Sequence, residues 1–183
     1  MSKQIFSEVL PVDWSANGAQ ILNSTAEALI FPDFTIPAFY MNDGKFLRYT
    51  AWGSLSNVVT TPGTLQFTMR MGGLTGTMIA QTAAISLNAV AQTNILWNLV
   101  CDIVSRGNGT ASPILAIGVV TLAAQLAANN NQPNFMSAGG ASAPATVNID
   151  TTQNQALSLT GKFSVSTATT QLTGFTRTIE SLT

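Results

Sequence analysis

Leu65-Gln66-Phe67-Thr68-Met69-Arg70-Met71 is the stretch that decides the fold. Large apolar side chains fall on every second residue, with Gln, Thr and Arg between them. Successive side chains of an extended chain point to opposite faces, so this period of two marks a strand with one face buried and one wet. A helix would need apolar residues three and four apart. The alternation returns in Trp97, Leu99, Cys101 and Ile103 against Asn98, Val100, Asp102 and Val104. It returns again in Leu157, Leu159, Gly161, Phe163 and Val165 against Ser158, Thr160, Lys162 and Ser164.

Shorter or less regular strands are expected over 26–31, 35–40, 45–55, 77–82, 114–122 and 146–150, making about nine in all. Asn42-Asp43-Gly44, Thr61-Pro62-Gly63, Met71-Gly72-Gly73 and Arg106-Gly107-Asn108-Gly109 punctuate them as turns. Many short strands with such punctuation indicate a sandwich or barrel. The Ala-rich stretches 83–91 and 122–128 lack the caps and charged face of a helix. Residues 1–24 read as an N-terminal arm, 25–183 as the β-domain, and 129–145 as a long loop within it. The last dozen residues read as a tail with at most a final short strand.

Composition narrows the function. Charged residues make up 8% of the chain, against roughly 25% in an average soluble domain. The net charge is −1, and the seven basic residues, Lys3, Lys45, Arg48, Arg70, Arg106, Lys162 and Arg177, are scattered. Nucleic-acid binding needs them clustered, so no nucleic-acid partner is expected. A chain with so few charges has little protection against self-association, which points to a homo-oligomer or to life on a larger particle. The most apolar stretch, 114–128, is broken by Gly118, Thr121 and Gln125. It falls short of the ~20 residues that cross a bilayer and reads as a buried strand, so no membrane association is expected. Nor does residues 1–8 contain the apolar core of a signal peptide.

The chain has no histidine and one cysteine. A Ser-His-Asp or Cys-His site is therefore impossible, and an ordinary structural zinc site is excluded. Cys101 lies in an apolar run and reads as a buried small hydrophobe. The carboxylates are spread along the sequence, so a hydrolase would need two of them to converge in space. No catalytic residue, metal or cofactor is expected, and the chain is not expected to be an enzyme. The arm carries Phe6, Leu10 and Trp14, which would not stay exposed in water. They must pack on their own domain or on a partner, and in the second case they are the expected partner-docking residues. Trp52 and Trp97 read as core. Tyr40 and Tyr49, with the loop 129–144, form the alternative surface, one that would recognise host glycans.

One longer pattern runs from Gly44-Lys45-Phe46-Leu47-Arg48-Tyr49-Thr50-Ala51-Trp52-Gly53 through Thr61-Pro62-Gly63-Thr64-Leu65 to Met69-Arg70-Met71-Gly72-Gly73. Gly76-Thr77-Met78-Ile79-Ala80 and Asn94-Ile95-Leu96-Trp97 follow, then a strand that ends at Arg106. Over residues 40 to 120 or so, this resembles small jelly-roll structural proteins of tailed bacteriophages, of the capsid decoration (cement) or head-fibre type. The resemblance implies a jelly-roll-like two-sheet β-sandwich, often trimeric, made in the host cytoplasm and carried on the virion against the major capsid protein. The alternative within the same resemblance is a tail or head fibre, or a receptor-binding module.

Overall fold

The computed structural model describes residues 8–10, 20–58, 60–123, 133–138 and 144–182. Those residues are all-β, in fourteen strands. Eight carry most of the structure: β5 (Phe46–Asn57), β6 (Thr64–Met71), β7 (Thr77–Thr82), β9 (Gln92–Ser105), β10 (Ser112–Leu122), β11 (Asn134–Ser137), β13 (Gln155–Phe163) and β14 (Gln171–Ser181). Six are short: β1 (Glu8–Leu10), β2 (Gln20–Leu22), β3 (Ala28–Leu29), β4 (Phe34–Ile36), β8 (Ile85–Ser86) and β12 (Thr146–Ile149).

The strand order gives the architecture. One layer runs β2-β14-β5-β9, and the other runs from β3 and β4, which share one edge of β13, through β13 and β6 to β7. The chain visits these layers alternately, and every strand pair is antiparallel. This is the order of a jelly roll, a double-sheet solution to the exposed-edge problem. An added hairpin modifies it. β10 extends the first layer beyond β9, and β11 bridges β10 to β7, so the layers are joined along that side.

The alternating residues fill the space between the layers. Leu65, Phe67, Met69 and Met71 of β6, Trp97, Leu99, Cys101 and Ile103 of β9, and Leu157, Leu159 and Phe163 of β13 are all buried. Trp97 makes an aromatic contact across the layers. Its ring lies 5.2 Å from that of Phe67 at 54°, and its Nε1 donates to the carbonyl oxygens of Ser54 and Thr173, each at 3.2 Å. A buried indole needs such partners for its N–H. The ring also needs room beside Gly53. A Cβ there would run into the Thr173 carbonyl and come within 2.5 Å of Trp97 Cζ2.

Several expectations change. Of the arm, Glu8–Leu10 and Gln20–Leu22 pair with β14 and so are strands of the sheet. The tail is an eleven-residue strand in the body of the sheet, with β5 on one side and β1 and β2 on the other. Its Thr-rich composition hides the inward positions Leu172, Gly174, Arg177 and Ile179. Within the expected loop, residues 134–137 form β11, with Met136 turned into the core. The Met71-Gly72-Gly73 turn closes the β6–β7 hairpin, with both glycines at positive φ, where a side chain would be strained.

Gly53→Ala is expected to cost about 1–3 kcal/mol or more, the range for overpacking a filled core. Urea denaturation measures it. An unchanged midpoint would contradict the close seat of Trp97 on Gly53.

Candidate functional site, the outer faces of the two layers

A strand that covers a core with every second residue presents the others outward. The two layers present very different outer faces. On the β13–β6 side the outward residues are polar, and they are bonded to one another. Arg70 donates from Nε to Glu27 Oε1 at 2.7 Å and from Nη2 to Oε2 at 2.9 Å, while Nη1 donates to the Gly76 carbonyl at 2.9 Å. Thr160 donates to Glu27 at 2.6 Å, Ser158 to Asp33 at 2.6 Å, and Gln81 to Thr68 at 2.9 Å. The segment that carries β3 and β4 supplies both carboxylates.

Glu27 and Asp33 thus hang from hydroxyls two residues apart on one strand. The Arg70 guanidinium, chiefly through its hydrogen bonds, holds Glu27 below the usual carboxylate range. Burial opposes this, and the Thr160 hydroxyl adds to it. A carboxyl held ionised in this way is the opposite of a general acid, which needs a raised value. Among the described residues no three of His, Cys, Asp and Glu gather as metal ligands, and no helix is long and apolar enough to cross a membrane.

The outer face of β14, β5, β9, β10 and β11 carries exposed apolar side chains set among threonine, asparagine and three charged residues. Thr50, Val100, Val119 and Phe135 lie side by side across four strands, since Thr50 is opposite Val100, Val100 opposite Val119 and Val119 opposite Phe135. Trp52 stands next to Thr50 along β5, and Leu96 and Asn98 lie beside it on β9. Val104, Leu115 and Ile117 continue the patch in the other direction. Trp52 is 46% exposed, Leu96 51%, Ile117 42% and Phe135 58%. Phe175, 44% exposed, sits at the β14 bulge beside Trp52. One ion pair lies within the patch. Arg48 donates to Asp102 through Nε at 2.8 Å and Nη2 at 3.0 Å, so the two charges neutralise each other. At roughly half exposure, and 150–250 Å² for a buried aromatic, the five large side chains leave about 500 Å² of apolar surface. That is near the top of the ~300–600 Å² range for the largest patch on a monomer, a size often tied to function.

β10 is therefore largely apolar on both faces, and β9 adds Leu96, Val100 and Val104 on its outer side, with Asn98 and Asp102 between them. A nearly continuous apolar run is the mark of a strand covered on both sides. In the single chain only the inner side is covered.

The residues expected to matter fall as follows. Leu10 lies in β1, opposite Ile179. Phe6 and Trp14 lie outside the described residues. Trp97 is core, but Trp52 is outward, because the alternation that puts Leu47, Tyr49 and Ala51 inside puts Trp52 outside. Tyr49 is fully enclosed near Arg177, and burial pushes its phenol up to about 12. It cannot line a glycan surface. Tyr40 is half-buried, its ring 4.4 Å from the Lys45 ammonium. Cys101 is buried as expected, and burial pushes its thiol up to about 12. Comparison of the chain with protein-family models, with characterised proteins and with solved structures finds no match.

The polar face predicts a pH dependence. Glu27 is held below its ordinary 4.5, so its contribution to stability is complete above that value and is lost as the pH falls through the lower, folded value. Glu27→Gln is expected to be less stable than the wild type at neutral pH. The gap should narrow on acidification below about pH 4.5. Thermal melts across this range measure it, and a constant gap would contradict the Arg70 pairing.

Proposed function

We propose that the chain is a viral structural protein, a capsid decoration (cement) protein that binds and stabilises the shell of a tailed phage. The observation that carries this reading is the apolar outer face of β14, β5, β9, β10 and β11. Assembly needs such a surface. The jelly-roll strand order and the low charge support it, as does the resemblance over residues 40 to 120 or so.

The mechanism is mechanical. A protein that binds the closed shell better than its opened or dissociated subunits stabilises that shell by mass action. The module works as a symmetric oligomer, a trimer by the resemblance, with the N-terminal residues Phe6, Leu10 and Trp14 carrying contact to the major capsid protein. The glycan-recognition alternative loses its tyrosines, since Tyr49 is sealed in the core and Tyr40 is engaged by Lys45.

The test is co-sedimentation with undecorated capsids of the phage that encodes the chain. Saturable binding and a rise in the capsid melting temperature are expected. Removing residues 1–7 together with Trp14→Ala, which spares the β1 and β2 pairing, is expected to weaken binding tenfold or more. Failure of the wild type to bind would overturn the cement reading. Full binding by the truncated variant would overturn the role given to the N-terminal residues.

A further inference from the structure

We infer that the apolar outer face of β14, β5, β9, β10 and β11 is the contact between copies of this chain, each copy covering the face of another. The inference rests on the assembly reading above and names the occupant of its surface.

Three observations single out a second copy. The first is area. About 500 Å² of strongly exposed apolar side chain, with half-buried Val100, Val104, Leu115 and Val119 between, approaches the ~800 Å² that each partner contributes to a standard stable interface. The patch is thus the size of an interface core, not of a peptide groove. The second is charge. Arg48 and Asp102 satisfy each other within the chain at 2.8 and 3.0 Å, and Glu180 on β14 is the face's other charge. A polyanion would find Arg48 already paired, and a polycation would find only Glu180, which itself lies opposite Arg48. A second copy, with a net charge of only −1, brings almost no repulsion. The third is the pattern. The patch is strand-built, with branched side chains at its middle and the aromatic Trp52 and Phe135 on either side of Val100 and Val119. Sheets pack face to face through such interdigitating surfaces. Closed symmetry buries this face in every copy at once, whereas an open, head-to-tail array leaves its end copies uncovered.

The experiment is light scattering on a size-exclusion column, with the full chain at about 50 µM so that mass action favours association. The wild type is expected at two or three times the 19.2 kDa chain mass. Trp52→Glu and Phe135→Glu, each at a half-exposed position that a charge can occupy in the folded chain, are expected to fall two- to threefold, to a single chain. Phe39→Glu, at an exposed residue away from the face, is expected to keep the wild-type mass. Circular dichroism checks that each variant is folded. A monomeric wild type would overturn the inference, and so would an oligomer that survives both charges. Capsid binding by a monomeric wild type, lost in Trp52→Glu, would assign the face to the capsid and leave the cement reading standing.

Discussion

Trp97 lying across Gly53 is the contact on which the rest of the structure depends. It joins β9 to β5 and β14 through the Ser54 and Thr173 carbonyls, and the first layer to the second through the Phe67 ring. It also fixes parity. Because the side-chain period of a strand is two, slipping β9 by one residue would turn every side chain to the other face. With Trp97 locked inside, Leu99, Cys101 and Ile103 are inside as well, and Leu96, Val100 and Val104 must be outside. The pairing of β9 with β5 and β10 passes the same choice to Trp52, Ile117 and Val119. The apolar outer face is therefore a consequence of how the core closes.

The two outer faces show two ways of finishing a sheet with few charges. On β13 and β6 Arg70 and the outward hydroxyls hydrogen-bond the carboxylates of Glu27 and Asp33, which the segment carrying β3 and β4 supplies. On β14, β5, β9 and β10 the one ion pair is self-contained, and valine, isoleucine and tryptophan face outward. The edges of the long strands are handled by short pieces set end to end. β1 and β2 share the edge of β14, β3 and β4 that of β13, and β11 and β12 that of β10. Unpaired strand edges invite indiscriminate pairing, and these pieces cover them, so association is left to a face.

Much of the fold was legible in the sequence wherever one side of a strand is wet. Leu65 to Met71 and Leu157 to Phe163 show it, because polar and apolar residues alternate there. Legibility failed where both sides are apolar or both polar. In Trp52 the sequence offers a large hydrophobe in an apolar strand, and hydrophobicity alone cannot tell an inner face from an uncovered outer one. In β14 the outward threonines conceal a strand whose inner side holds Arg177, which is buried, donates to the Pro32 carbonyl and lies 5.6 Å from the Phe31 ring. β3 and β4 fall at the expected strands 26–31 and 35–40, shorter than expected, whereas β8 has too few residues to show a period and pairs only with β6. The candidate face was visible only as two apolar runs. Its assembly from five strands needed the register.

Hydroxyl-radical footprinting of the assembled protein, read by mass spectrometry, tests the central claim most directly. Trp52, Phe135, Leu96 and Ile117 have exposures in the single chain comparable to that of Phe39, which is 66% exposed and lies off the face. If copies cover the face, Trp52 and Phe135 will be oxidised several-fold more slowly than the Phe39 rate predicts, and the protection will fade on dilution. Oxidation of Trp52 and Phe135 in step with Phe39 at every concentration would contradict the account.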